Sequence, residues 1–133
     1  MEGAYKVLVC GDRNWSDDKL IEETLLKFSI DCIIQGGAKG ADRIAAQFAL
    51  VYNIKCLQFD ANWKIGRAAG PIRNKQMLVE GKPDLVIAFH DDLANSKGTK
   101  NMIDYTKSIG KPVYLCVYDK DTIVEFTHDV VDN

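Results

Sequence analysis

The chain has 133 residues, of which 47% are hydrophobic and 27% are charged, and these values are typical of one globular domain. Its 17 lysine and arginine residues against 19 aspartate and glutamate residues leave a net charge of −2, which argues against nonspecific binding of nucleic acid. No stretch approaches the roughly 20 apolar residues of a membrane span, and the first residues do not resemble a secretion signal, so we expect a cytoplasmic protein without a membrane partner.

The first half of the chain alternates between strand-like and helix-like segments. Tyr5 to Cys10 is mostly β-branched and apolar, as expected for a strand covered on both faces of a parallel sheet. Asp17 and Asp18 precede apolar residues at helical spacing, and acidic residues at this end favour a helix. In chain order, the pattern predicts a strand from Tyr5 to Cys10, a helix that includes Leu20 to Phe28, a strand from Asp31 to Gln35 and a helix from Ala41 to Tyr52.

The second half continues this alternation. A proline is tolerated in the first turn of a helix, so the third helix is predicted to begin near Pro71 and to end at Gly81. In chain order, we expect a strand from Lys55 to Phe59, the third helix, a strand from Asp84 to Phe89, a helix from Thr99 to Ile109, a strand from Pro112 to Val117 and a short helix from Thr122 to Phe126.

Strands that alternate with helices through short connections predict an α/β fold. Specifically, we expect a three-layer Rossmann-like sandwich with a mainly parallel sheet of about five strands. The chain contains no internal repeat and no linker rich in glycine or serine, so residues 1–133 are predicted to form a single domain.

The four cysteines do not form a recognisable metal-binding or disulfide pattern. Cys10, Cys32, Cys56 and Cys116 are far apart, and each lies in an apolar stretch. This arrangement is typical of buried, reduced thiols. We therefore predict no metal site and no cofactor.

Glycine-rich turns follow two of the predicted strands. Ligands of open parallel sheets bind beyond the carboxyl ends of the strands. Gly36-Gly37-x-x-Gly40 lets the backbone approach a phosphate and directs helix amides toward it, although a simple tight turn needs the same glycines. Gly98-Thr99 repeats the pattern, and Ser96 and Thr99 offer hydroxyls either to a ligand or to the helix as caps. Together the two turns could hold the phosphates and ribose of one nucleotide.

A basic segment around Arg73 follows the third strand. A cation in the first turn of a helix is disfavoured by the helix dipole, so a bound anion would explain Arg73, and a salt bridge or an exposed position would be the alternative. Arg13, at the end of the first strand, can converge on the same crevice. Trp15 and Trp63 are candidates to stack on a base, with packing beneath loops as the alternative.

Four stretches of the chain resemble the signatures of a known family. These are Gly11-Asp12-Arg13-Asn14-Trp15, Gly36-Gly37-Ala38-Lys39-Gly40-Ala41-Asp42, Gly70-Pro71-Ile72-Arg73-Asn74 and Ser96-Lys97-Gly98-Thr99. They are similar to the YspA/YpsA-related proteins of the SLOG superfamily. The resemblance implies a Rossmann-like fold, a nucleotide-derived ligand and a homodimer or higher homo-oligomer, with relatives that sense NAD- or ADP-ribose-derived signals in bacterial and phage defence.

Two more distant resemblances define the alternatives. Lonely-guy phosphoribohydrolases carry Pro-Gly-Gly-x-Gly-Thr-x-x-Glu and a catalytic arginine, and here Gly98-Thr99 and Arg73 match while Met102 replaces the glutamate. Cleavage of an N-glycosidic bond needs a carboxylate, so this replacement favours binding without turnover. The DNA-processing protein A family implies a third reading, binding of single-stranded nucleic acid through Lys64, Arg67, Arg73 and Lys75, which the acidic balance of the chain opposes.

The sequence therefore predicts a protein that binds a nucleotide or an NAD- or ADP-ribose-derived ligand as a sensor or sequestering protein. A nucleotide N-glycosidase is the alternative, with Asp42, His90 and Asp91 as the candidate catalytic residues. Asp42 has a simpler role as a shaper of the glycine loop. The expected ligand-binding residues are Gly11, Arg13, Trp15, Gly36, Gly37, Ala38, Gly40, Asp42, Trp63, Pro71, Arg73, Asn74, Ser96, Gly98 and Thr99.

Overall fold

The computed structural model describes residues 4–116 and 123–126. These residues include six strands and four α-helices, and one helix follows each of the first four strands. The strands are β1 (Tyr5–Gly11), β2 (Ile30–Gln35), β3 (Lys55–Gln58), β4 (Leu85–Phe89), β5 (Val113–Cys116) and β6 (Ile123–Phe126). The helices are α1 (Asp18–Leu25), α2 (Ala41–Val51), α3 (Ala69–Gly81) and α4 (Gly98–Ser108).

The strands form one sheet in the order β3-β2-β1-β4-β5-β6. The first five are parallel, and β6 pairs antiparallel with β5 at the edge. This strand order is that of doubly wound nucleotide-binding sheets, in which the order of the strands switches from one side of β1 to the other between β3 and β4. The expected α/β fold with a mainly parallel sheet is confirmed.

Side chains of β1 alternate between two cores. Val7 and Val9 join one apolar cluster with residues of α1 and α2, whereas Leu8 and Cys10 join another with residues of α3 and α4. Successive side chains of a strand point to opposite faces, so a strand covered on both sides must be apolar throughout. The helices consequently form the two outer layers of a three-layer sandwich.

Two predicted elements differ from the structure. Helix α3 begins at Ala69, so Pro71 still lies in the first turn but Arg73 lies in the second. The helix predicted from Thr122 to Phe126 is wrong, because residues Ile123–Phe126 form β6. The β-branched residues Ile123 and Val124 favour an extended backbone, and the free edge of β5 supplies the pairing partner. Thr122 and Val117 lie outside the described residues.

One of the four cysteines differs from the prediction that all are buried. Cys10, Cys32 and Cys116 are buried free thiols, as predicted, but Cys56 is exposed. Strand β3 is an edge strand with three of its four residues exposed, so it gives Cys56 no second layer. Within residues 4–116 and 123–126, no helix is long and apolar enough to cross a membrane.

Candidate functional site

A cavity of about 580 Å³ opens at the carboxyl ends of β1 and β4 and at the start of α2, α3 and α4. Its volume lies in the range of small-molecule sites, about 300 to 1,000 Å³. It brings together most of the residues expected from the sequence. Those in its wall are Gly11, Arg13, Ala38, Asp42, Trp63, Arg73, Asn74, His90, Ser96, Gly98 and Thr99.

Several expected residues lie outside this wall. Trp15 is only 2% exposed, its ring packs edge-on against Phe89, and its Nε1 donates to the carbonyl of Asp17 at 2.9 Å. Trp15 is therefore a core residue, and the expectation that it covers a base is wrong. The other residues that the cavity does not include are Gly36, Gly37, Gly40, Pro71 and Asp91.

The backbone amides of the glycine loop after β2 are already engaged. Oδ2 of Asp42 accepts from the amides of Gly36 and Ala38 at 3.0 and 3.3 Å. The amide of Gly37 donates to Oε1 of Gln35 at 2.6 Å. These three amides thus have acceptors within the protein, contrary to the expectation that they face a phosphate. Asp42 instead has the loop-shaping contacts that the sequence offered as its simpler role.

The glycines of this loop make room for other parts of the protein. A Cβ at Gly36 would lie 2.4 Å from Nη1 of Arg73. At Gly40, where φ is +75°, a Cβ would lie 2.3 Å from the carbonyl oxygen of Asp12. Glycine at these positions thus makes room for the Arg73 side chain of α3 and for the backbone of the loop after β1, not for a ligand.

Arg73 and Asn74 connect the loop after β2 with the start of α4. Nη1 of Arg73 donates to the carbonyl oxygens of Gly36 at 2.6 Å and Phe59 at 3.4 Å. Nε of Arg73 donates to Oδ1 of Asn74 at 3.1 Å, and Nδ2 of Asn74 donates to the carbonyl of Gly98 at 3.2 Å. Because Arg73 lies in the second turn and has carbonyl partners, its presence does not require the anion inferred from a first-turn position.

His90 lines the cavity, and one of its two ring nitrogens already has a hydrogen-bond partner. Its Nδ1 accepts from the amide of Asp92 at 3.0 Å, which assigns the proton of the neutral ring to Nε2. His90 in this state can donate to a ligand through Nε2 but cannot act as a base through Nδ1. Asp91, the neighbouring candidate, is exposed and outside the cavity wall.

Sequence reasoning missed some residues of the wall. Cys10 and Met77 supply apolar surface, and Asp12, Lys39 and Lys97 supply charge. These three charged residues lie within the four family-like stretches, so their position beside the glycines could have indicated that they line the same crevice. Burial raises the pKa of the Cys10 thiol, which disfavours the reactive thiolate form. Among the residues described, no group of three or more histidine, cysteine, aspartate or glutamate side chains could hold a metal ion.

Comparison with known proteins identifies the family. The family model of the YspA, cpYpsA-related SLOG family matches residues 5–66, which include the glycine loop. The Gene 61 protein of Mycobacterium phage D29 is 32% identical over 119 residues, covering 81% of this chain and 93% of that protein. The chain belongs to the YspA, cpYpsA-related SLOG family. No solved structure matches this SLOG chain.

The position that distinguishes this SLOG protein from lonely-guy phosphoribohydrolases lies in the core. Met102 is 1% exposed, packs in the apolar cluster beneath α3 and α4, and is not part of the cavity wall. A glutamate at this position would bury a carboxylate among apolar side chains at a cost of several kcal/mol. The methionine is therefore a packing residue in this chain.

Asp42 is the buried carboxylate of the SLOG cavity. Burial raises the pKa of its carboxyl to about 6. The amide of Ala38, the guanidinium of Arg73 and the amide of Gly36 oppose this shift, since each stabilises the charged form. The loss of hydration therefore raises the pKa of Asp42 by more than these three interactions lower it.

We expect the free energy of unfolding of the wild type, relative to Asp42→Asn, to fall as the pH rises from about 4 to about 7. The folded state holds the Asp42 proton up to a pKa of about 6, whereas the ordinary pKa is 3.8. In this interval the folded state binds more protons than the unfolded chain, and the difference corresponds to about 3 kcal/mol. Urea denaturation of both proteins across this interval measures the effect. A difference between them that does not change with pH would contradict the raised pKa.

Proposed function

We propose that this protein binds a nucleotide or an NAD- or ADP-ribose-derived molecule in the cavity and acts as a sensor or sequestering protein without turnover. The observation that carries the proposal is the composition of the cavity wall. Four cationic residues, Arg13, Lys39, Arg73 and Lys97, line one cavity with an exposed aromatic ring and the start of α4. Membership of the SLOG family supports a nucleotide-related ligand.

The anionic part of the ligand belongs at the start of α4. Gly98 is the first residue of this helix, and a Cβ added there would meet no atom within 4 Å. The first turn of α4 contains no acidic residue, whereas the first turn of α2 contains Asp42. A phosphate is stabilised by the amides and dipole of a helix N-terminus and repelled by a carboxylate. Lys97 adds a cation to the α4 position.

Thr99 gives independent support for this position. The residue is only 6% exposed and lines the cavity. Its amide donates to Oγ of Ser96 at 3.0 Å, so the Ser96 hydroxyl satisfies one of the free amides at the start of α4. The Thr99 hydroxyl has no partner among the residues that the structure describes, and none of their unpartnered side-chain oxygens is sealed from solvent. This hydroxyl therefore faces the cavity and is available to a ligand oxygen.

Trp63 supports the placement of a base at the mouth of the cavity. Its side chain is 63% exposed and lies over Gly70, where a Cβ would stand 3.3 Å from the ring. An aromatic face that remains exposed at the rim offers a stacking surface for a base. One nucleotide with its phosphate at the start of α4 and its base on Trp63 would span the cavity.

Gly98→Ala is expected to weaken binding of AMP or ADP-ribose by about tenfold or more without loss of stability. The new methyl group meets no protein atom, and alanine is favoured over glycine in a helix by about 0.5 to 1 kcal/mol. The methyl group would, however, occupy the space in which a phosphate would contact the backbone of Gly98. Calorimetric titration and thermal unfolding separate the two effects. Unchanged affinity in a folded Gly98→Ala variant would exclude the start of α4 as the phosphate site.

The main test exposes the purified protein to nucleoside monophosphates, NAD, ADP-ribose and cyclic ADP-ribose isomers. Thermal stability is measured beside chromatography of the recovered small molecules. A ligand specific to the native state raises its apparent stability by mass action, so we expect a stabilised protein and an intact ligand. Release of free base and sugar phosphate would overturn binding without turnover and support the N-glycosidase. No stabilisation by any compound would overturn the nucleotide ligand.

A further inference from the structure

The carboxylate of Asp42 has one oxygen that the loop does not use. Oδ2 accepts both loop amides, from Gly36 and Ala38. Oδ1 has no donor among residues 4–116 and 123–126, although the whole residue is only 6% exposed. No unpartnered side-chain oxygen or nitrogen of these residues is sealed from solvent. Oδ1 therefore opens into the cavity that Asp42 lines.

A desolvated carboxylate oxygen in a cavity selects for a particular kind of ligand group. A phosphate oxygen is excluded by charge repulsion, and an apolar group would leave the acceptor without a hydrogen bond. A neutral donor such as a hydroxyl group fits, because a hydrogen bond to a charged acceptor is among the stronger ones. The preferred partner of Oδ1 is therefore a hydroxyl or amine group of the ligand.

The position of Asp42 relative to the other contacts favours a hydroxyl of the sugar. Trp63, the candidate base platform, stands exposed at the rim, whereas Asp42 is buried in the wall. From Asp42 a series of hydrogen bonds leads through Gly36, Arg73 and Asn74 to Gly98, the candidate phosphate position. In a nucleotide, the sugar hydroxyls are the neutral donors that lie between the phosphate and the base.

We propose that Oδ1 of Asp42 accepts a hydrogen bond from a ribose hydroxyl, so that the protein selects ribosyl over deoxyribosyl ligands. This inference rests on the proposed nucleotide-binding function. It assigns two tasks to one carboxylate: Oδ2 shapes the loop and Oδ1 recognises the sugar. Asp42 is accordingly a specificity-determining residue, and the recognition needs no bond cleavage.

Asp42→Asn separates the two tasks. The loop amides of Gly36 and Ala38 require an oxygen acceptor, so the asparagine must turn its carbonyl oxygen toward them. Its amide nitrogen then faces the cavity, where a donor replaces the acceptor. Asp60→Asn is the matched control, because Asp60 is an exposed carboxylate near the same loop that accepts from Gln58 and lies outside the cavity wall.

The experiment measures the affinities of AMP and 2′,3′-dideoxyAMP by calorimetric titration, with ADP-ribose as a further ligand. We expect the wild type and Asp60→Asn to bind AMP about tenfold or more tightly than the dideoxy analogue. In Asp42→Asn this ratio should fall to about one. A role confined to loop shape would weaken both ligands equally and leave the ratio unchanged.

The outcomes distinguish this inference from the function on which it rests. Equal binding of AMP and 2′,3′-dideoxyAMP to the wild type overturns the inference, as does a ratio that survives in Asp42→Asn. If ADP-ribose binds and AMP does not, equal affinity of the wild type and Asp42→Asn for ADP-ribose overturns the inference and leaves the proposed function intact, whereas a loss in Asp42→Asn that is absent from Asp60→Asn supports it. If none of the three compounds binds, both fail.

Discussion

Arg73→Ala is expected to weaken binding of AMP or ADP-ribose by about 30-fold or more, which corresponds to about 2 to 5 kcal/mol. Nη1 and Nε of Arg73 are committed to Gly36, Phe59 and Asn74, which fix the guanidinium at the cavity wall. Its Nη2 has no acceptor in the part of the chain that the structure describes, so it is free for an anion. Calorimetric titration measures the loss of affinity.

Two variants show whether this loss comes from a lost ligand contact. Arg67→Ala removes a cation from the same basic segment, but Arg67 is exposed and outside the cavity wall, so its affinity should match the wild type. Arg73→Lys keeps the charge without the planar fork and should fall between wild type and alanine. An Arg73→Ala affinity within about threefold of the wild type would remove Arg73 from the site. Equal losses from Arg67→Ala and Arg73→Ala would instead favour the nucleic-acid alternative.

Gly40→Ala is expected to lower the free energy of unfolding by about 3 kcal/mol or more, with a fall in melting temperature of about 10 °C. At φ +75° and ψ −126° the backbone adopts a conformation that alanine disfavours. The new Cβ would also stand 2.3 Å from the carbonyl oxygen of Asp12 and 2.6 Å from that of Arg13. Both neighbours are backbone atoms, so the loop after β1 must shift.

A series of glycine variants separates strain from collision in this prediction. Gly66 has φ +98° and no atom within 4 Å of an added Cβ, so Gly66→Ala carries strain alone, about 1 to 2 kcal/mol. Gly98→Ala carries neither, since Gly98 has an open environment and no positive φ. Thermal and urea unfolding should rank the stabilities Gly98→Ala, Gly66→Ala, Gly40→Ala from highest to lowest. A Gly40→Ala protein as stable as Gly66→Ala would contradict the close approach of the two loops.

The elements that the sequence predicted well depend on local patterns. The run from Tyr5 to Cys10 predicts β1 because a strand covered on both faces needs apolar residues at every position. The glycine turn at Gly36 and the cap at Asp17 likewise depend on neighbouring residues. Helix and strand ends agree with the structure to within a few residues for the same reason. The short segment at residues 123–126 is too brief for periodicity to decide, and pairing with β5 made it a strand.

The candidate site shows the limit of such patterns. The sequence predicts that Arg73, Asn74 and Gly98 bind a ligand, and the structure brings them into one cavity wall. It did not distinguish Trp15 from Trp63, because both follow strands and both are aromatic. Only the packing of Trp15 against Phe89, far away in the chain, makes one ring part of the core while the other stays exposed.

The sequence by itself determined the fold class, the family and the edge of the sheet at which the cavity opens, because hydrophobic periodicity and turn residues act over a few neighbouring positions. Only the tertiary structure decided what each of those residues does. Arg73 reaches Gly36 across 37 positions and Asn74 reaches Gly98 across 24, and no local pattern encodes such contacts. The same glycine serves a ligand or a neighbouring loop according to which atoms the fold brings against its missing side chain.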